Sequence, residues 1–249
     1  MNGVGIVNDF LLVLGIALVA AALTYLGAPV AERFAVPRYV VSGALQFAAG
    51  IITALVAISL MPPAVRNGPP AGIVLGFFVG GALYVAMEYI SAVKLAARPA
   101  SENGVTSLGL YIGILVDLVI DGIVIGLGST LTLATGLMLA LGLAISTMPL
   151  AFVTTATAKR QGVSPENRRL LSYLFVICIV GGALIGYGLL RNQPLGLRLI
   201  LIALASGFLI TTVTQSMIPE ANRDGEPSFA GVLYIGGLSL YALSTLVSK

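Results

Sequence analysis

Residues 48–64, AAGIITALVAISLMPPA, and residues 205–221, ASGFLITTVTQSMIPEA, decide how this chain reads. Set in one register, Gly50 meets Gly207, Val56 meets Val213, Ser59 meets Ser216 and Pro62 meets Pro219. The segments that follow also match. Ala71-Gly72-Ile73-Val74 is like Ala230-Gly231-Val232-Leu233, Gly80-Gly81 is like Gly236-Gly237, and Tyr84 is like Tyr241, with a small slip. Chance similarity between two apolar, small-residue segments is the competing explanation.

These segments lie in a chain of 249 residues that is 58% hydrophobic and only 9% charged, with a mean hydropathy of +1.03. An ordinary soluble domain carries about 25% charged residues. So few charges cannot clothe a water-soluble globule, and the composition excludes a soluble enzyme, a disordered chain and a nucleic-acid binder. An all-α polytopic membrane protein is expected, forming a single transmembrane domain over 1–249. Apolar run lengths and turn residues predict eight helices, near 7–29, 40–61, 71–94, 107–127, 131–157, 169–190, 197–218 and 228–247. The predicted breaks are Pro62-Pro63 and Pro69-Pro70, the polar stretch Lys94 to Val105, Gly128-Ser129-Thr130, the charged loop Lys159 to Arg169, Gln193-Pro194, and Glu220 to Pro227.

In this numbering the repeat relates helix two to helix seven and helix three to helix eight. An offset of five spans is odd, so the two copies cross the membrane in opposite senses. Inverted repeats of this kind mark secondary transporters, with the binding site near the midplane between them. Repeat one covers about 7–94 and repeat two about 169–247; the central helices, about 107–157, have no counterpart. Loops after helices one, three, five and seven hold Arg33, Arg38, Lys94, Arg98, Lys159, Arg160, Arg168, Arg169 and Arg223. The opposite side holds Arg66, Arg191, Arg198 and Lys249. The positive-inside rule then puts the first set in the cytoplasm and both termini outside. Met1 to Phe10 has no Lys or Arg, so the first apolar run is expected to be a retained helix. The single cysteine, Cys178, permits no intrachain disulfide.

Acids within a bilayer are costly and functional by default. Of ten acids, only Glu88, Asp117 and Asp121 fall inside apolar runs. Asp117 and Asp121 are spaced i,i+4, one helical turn apart on one face. Two such carboxylates repel strongly in a low dielectric unless a cation lies between them or one holds a proton. They form a candidate cation or proton site; a protonated pair bonded to hydroxyls across helices is the alternative. Ser146-Thr147-Met148-Pro149 adds hydroxyls and a proline that frees a backbone carbonyl. Thr154, Thr155 and Thr157 extend that polar stripe, and Thr211, Thr212, Thr214, Gln215 and Ser216 supply another. Small polar residues also serve as ordinary interhelical packing. Glu88, six residues before Lys94, either joins the pathway or reaches to the interface.

On these motifs the chain resembles the ZIP family of divalent-metal transporters, over helices two to eight. Gln215-Ser216-Met217-Ile218-Pro219-Glu220 is similar to the end of the family's seventh helix, with Gln215 and Ser216 where His and Glu stand. Leu60-Met61-Pro62 resembles the end of its second helix, and Leu75-Gly76-Phe77-Phe78-Val79-Gly80-Gly81 its third. The family's His-Asn-x-Pro-Glu-Gly of helix four becomes Asp117-Leu118-Val119-Ile120-Asp121-Gly122, with Asp117 for the His, Asp121 for the Glu and Gly122 kept. In helix five the Pro-Glu-Gly becomes Pro149-Leu150-Ala151, so that glutamate is lost. The resemblance implies eight helices in an inverted three-two-three bundle.

It also implies transport of a divalent cation through a reduced site of Asp117, Asp121, Ser146, Thr147, Gln215 and Ser216. The chain has no histidine. Oxygen ligands suit harder cations such as Mn²⁺, Mg²⁺ or Ca²⁺ better than Zn²⁺, with Fe²⁺ less favoured. The cation (Mn, Mg, Fe or Zn) is cargo, and no permanently bound cofactor or enzymatic activity is expected. The expected partners are the lipid bilayer and the metal ion, without nucleic acid; a homodimer is left open. The expected location is the plasma (inner) membrane of a prokaryote. The alternatives are the same fold carrying a monovalent cation or small solute, and a non-transporting membrane scaffold.

Overall fold

Long apolar runs without charges leave the backbone one way to satisfy its polar groups in lipid, which is to close hydrogen bonds within each helix. The computed structural model describes residues 3–34, 37–96, 105–223 and 229–247, and it is helical throughout, with no strand among the described residues. The helices are α1 (Gly3–Tyr25), α2 (Gly27–Arg33), α3 (Arg38–Ala54), α4 (Met61–Asn67), α5 (Pro70–Ala96), α6 (Val105–Ser129), α7 (Leu133–Arg160), α8 (Pro165–Leu190), α9 (Leu195–Thr212), α10 (Ile218–Ala221) and α11 (Ala230–Val247). Two π-helical turns, Leu55–Leu60 and Val213–Met217, join α3 to α4 and α9 to α10.

Among the described residues, six stretches are long and apolar enough to cross a bilayer: Asn8–Arg33, Arg38–Asn67, Pro70–Ile90, Leu133–Arg160, Pro165–Leu190 and Leu195–Ala221. The architecture is that of a polytopic membrane protein. Parts of the expected breaks at Lys94 to Val105 and Glu220 to Pro227 lie outside the described residues, as do Arg98 and Lys249.

Two expected boundaries are corrected. Pro62-Pro63 does not end its helix, which continues to Asn67. The π-turn restarts the helical register at Met61 and places proline in the first positions of α4, where its missing N–H costs nothing. Pro219 sits in the same way at the start of α10. The charged loop expected from Lys159 to Arg169 shrinks to 161–164, because α7 runs to Arg160 and α8 begins at Pro165. Ser164 caps α8 by accepting from the Asn167 N–H, and Pro165 takes the first turn.

The helices pack around one contiguous apolar core built largely from Ala, Leu and Ile. Lipid supplies no hydrophobic force between helices, so close backbone approach over small residues has to hold them together. A Cβ added at Gly50 would overlap the Tyr234 carbonyl, and one at Gly237 the Phe47 carbonyl, joining α3 to α11. A Cβ at Gly207 would overlap the Phe77 carbonyl, and one at Gly80 the Leu204 carbonyl, joining α9 to α5.

These contacts correspond one to one. Gly50, Phe47, Phe77 and Gly80 each become their counterpart when the residue number rises by 157. The same shift takes Val56, inside the first π-turn, to Val213 at the start of the second. It also takes the hydrogen bond between Ser59 Oγ and Tyr241 Oη (2.9 Å) to one between Ser216 and Tyr84. The packing contains no slip: Gly80 corresponds to Gly237, not to Gly236.

Contacts also give direction. From Gly43 against Leu233 through Gly50 against Leu238 to Ser59 against Tyr241, α3 and α11 advance together. Gly72 against Ile200, Gly80 against Leu204 and Tyr84 against Phe208 show the same for α5 and α9. By contrast Ser42, near the start of α3, donates to the Ala221 carbonyl (2.6 Å), while α4 packs on α9. The rod from α3 to α4 therefore runs opposite to the rod from α9 to α10.

One end of the bundle gathers the basic residues. Arg168, buried, donates to Glu32 (Nη2 to Oε2, 2.9 Å) and to the Val163 carbonyl; Lys159 Nζ donates to the Glu32 carbonyl oxygen (2.7 Å). Arg38 and Arg223 both pair with Glu220, at 3.4 and 3.7 Å. At the other end of α9, Arg198 Nη1 donates to the Thr130 carbonyl oxygen at 2.7 Å.

Candidate functional site

Helix α6 is placed by its glycines. A Cβ on Gly122 would overlap the Ile179 carbonyl, and one on Gly126 the Ala183 carbonyl, so α6 lies directly on the backbone of α8. This contact fixes the rotation of α6 and turns Asp117 and Asp121 inward. Asp117 is 9% exposed and Asp121 only 3%. Asp117 Oδ1 and Asp121 Oδ2 are buried with no hydrogen-bond partner. Burying an unpartnered carboxylate oxygen costs several kcal/mol if the group is charged. Two of them a turn apart call for a shared cation or a proton.

Helix α7 lies beside α6 as the second arm of a hairpin. Gly128 packs on Leu139 and Gly136 on Ser129. Counting back equally along both arms brings Asp121 level with the Ser146 region and Asp117 level with Pro149. Ser146 and Thr147 are buried, and both donate to the Leu143 carbonyl oxygen, at 2.7 and 2.8 Å. With their protons so placed, each hydroxyl is left as an acceptor, and Thr147 accepts from Thr24. That is the state a cation ligand needs. Thr147 Oγ1 also meets Thr24 Oγ1 at 2.8 Å, which ties α7 to α1. Pro149, inside α7, leaves the Ile145 carbonyl without its helical donor.

The second polar stripe divides. Ser216 is half-buried and hydrogen-bonds Tyr84, a buried side chain within electrostatic reach of both Asp117 and Glu88. Gln215 is exposed on an outer groove of about 880 Å³ between α5 and α9, shared with Phe77, Phe78, Tyr89 and Thr214. Thr211 and Thr214 satisfy their hydroxyls on carbonyls of their own helix. Thr212 is buried and donates to the Phe208 carbonyl oxygen at 3.1 Å. Glu88 is exposed, one turn beyond Tyr84. Thr154 and Thr155 are buried, and Thr157 lines a cleft at the basic end. Asp117, Asp121, Ser146 and Thr147 are all buried, Ser216 is half-buried, and Gln215 and Glu88 are exposed.

Two residues of this neighbourhood escape a search for acids and donors, Tyr84 and Thr24. Tyr84 left a trace as a repeat match to Tyr241. Thr24, a lone hydroxyl in an apolar first helix, left none. Cys178 is half-buried and free. No protein-family model matches the chain, and no curated protein is similar to it at a significant level.

Proposed function

We propose that the protein is a transporter of a divalent metal cation, built as a ZIP-like bundle of eight transmembrane helices in an inverted three-two-three repeat. Four observations support the architecture: the constant spacing of 157 between matched contacts, the paired π-turns, the paired Ser–Tyr bonds and the opposed directions of the matched rods. π-turns inside helices are frequent at functional sites. The central pair α6 and α7 then lies between the copies, where a transported ion is held in proteins of this design.

The observation that carries the reading is the pair of unpartnered, buried carboxylate oxygens on α6. Each Asp facing lipid would cost about 2.5–3.5 kcal/mol. Facing inward around a cation, mutual repulsion becomes shared attraction. Asp117 and Asp121 supply the charge, Ser146 and Thr147 supply hydroxyl oxygens, and Ser216 with Tyr84 forms the near wall. The ligands are all oxygen, which favours Mn²⁺ or Mg²⁺ over Zn²⁺. The gathered Lys and Arg residues support a cytoplasmic location for that end, with both termini outside.

The reading is tested by Mn²⁺ titration of the purified protein, followed by electron paramagnetic resonance. One Mn²⁺ per chain is expected, with binding weakened at least tenfold in Asp117→Asn. Equal binding by parent and variant would remove the site.

A further inference from the structure

A cleft of about 340 Å³ opens at the basic end, between α2, the start of α3 and the end of α7. Arg38, Lys159 and Arg160 stand on it, above Phe34, Val41 and Phe152. Val41 and Phe152 also line a second cavity of about 380 Å³, which continues between α3 and α7 past Ala44, Phe47 and Met148. That second cavity has no charged residue in its lining. The two cavities meet at Val41 and Phe152 and together make a groove that is cationic at one end and apolar at the other.

The nearby carboxylates are already engaged. Glu32 holds Arg168, and Glu220 holds Arg38 and Arg223. Lys159 spends one donor on the Glu32 carbonyl, and Arg160 is exposed.

We propose that this groove is a binding site for an anionic phospholipid, with its phosphate between Lys159 and Arg160 and one acyl chain between α3 and α7. Charge complementarity selects the headgroup: basic pockets between helices at a membrane surface bind acidic lipids, and each basic residue there contributes about 1 kcal/mol. The apolar continuation selects a lipid over a free anion, which has no use for a wall of Val, Phe and Met. The groove touches Pro149 on α7, so an occupant would brace the helix that carries Ser146 and Thr147.

The test is native mass spectrometry of the purified full chain in detergent, titrated with phosphatidylglycerol or with phosphatidylcholine of the same acyl chains. Phosphatidylglycerol should bind at least tenfold more tightly. Arg160→Gln should lose about fivefold, and Lys159→Gln with Arg160→Gln about thirtyfold, at one and two charges' worth of attraction. Ala44→Phe, which fills the apolar half, should also reduce retention of phosphatidylglycerol. Thermal unfolding of each variant establishes that the fold survives. Equal binding of the two lipids, parent-like binding by the double variant, or full binding by Ala44→Phe overturns the proposal. Displacement of phosphatidylglycerol by millimolar inorganic phosphate overturns it as well, since the site would then serve a free anion.

Discussion

Alanine at Gly80 and at Gly237 should destabilise the protein to a similar extent, and by more than the helix-forming gain of alanine can offset. A Cβ at either position would meet a backbone carbonyl, Leu204 in one case and Phe47 in the other. A backbone atom cannot swing aside as a side chain can, so the two helices must separate. Overpacking of this kind costs about 1–3 kcal/mol. Alanine gains about 0.5–1 kcal/mol over glycine in a helix. Against backbone the upper part of the cost applies, leaving a net loss of about 1–2 kcal/mol. The built-in controls are Gly181 and Gly188 on α8, where an added Cβ meets nothing within 4 Å. Alanine there should be neutral or mildly stabilising. Cys178 is the only cysteine, so a thiol-reactive fluorophore can follow unfolding in detergent. At about 2–4 °C per kcal/mol, Gly80→Ala and Gly237→Ala should each lower Tm by several degrees. If either behaves like Gly181→Ala, the close approach of α5 to α9 or of α3 to α11 is wrong. If one is severe and the other silent, the correspondence between the two halves fails.

Three further outcomes are expected. Tyr84→Phe should weaken metal binding, because Tyr84 lies within reach of Asp117, whereas Tyr241→Phe should leave binding unchanged and affect stability alone; the two titrations are compared directly. Glu32→Gln should cost about 1–3 kcal/mol by leaving the buried Arg168 with a weaker partner, read as a lowered Tm. Ser164→Cys should react with an impermeant maleimide only from the cytoplasmic side in a Cys178→Ala background, and labelling of intact cells from outside would invert the topology.

Much of the architecture was legible because lipid restricts the options. Few charges and long apolar runs leave helices as the spanning structure, and the matched glycines and prolines of residues 48–64 and 205–221 mark the packing seams. The helix through Pro62-Pro63 was not legible, since proline reads as a breaker unless a π-turn has restarted the register beforehand. The register between α5 and α11 was misread for a related reason. Gly80-Gly81 and Gly236-Gly237 look equivalent by composition, but of these four only Gly80 and Gly237 would drive a Cβ into a backbone carbonyl.

The site was partly legible. Two acids spaced i,i+4 on an apolar helix have a narrow range of explanations, and both are buried. Gln215 and Ser216 looked equivalent as donors, yet successive residues point about 100° apart on a helix. The π-turn shifts that phase again, sending Ser216 to Tyr84 and Gln215 to the outer groove. Thr24 carried no signal because its meaning comes from Thr147 on a distant helix. Ser164-Pro165 was readable as a helix start, and the surrounding charge obscured it.

The most direct measurement is Mn²⁺ flux into proteoliposomes, with a metal-quenched dye inside and the parent, Asp117→Asn and Asp121→Asn chains reconstituted at equal amounts. The parent should carry Mn²⁺, Mg²⁺ should compete better than Cd²⁺, and both variants should fall to the leak of protein-free vesicles while keeping the parent's Tm. Variants that carry Mn²⁺ as fast as the parent, or a parent no faster than empty vesicles, would contradict the assignment of Asp117 and Asp121 as the cation site of a transporter.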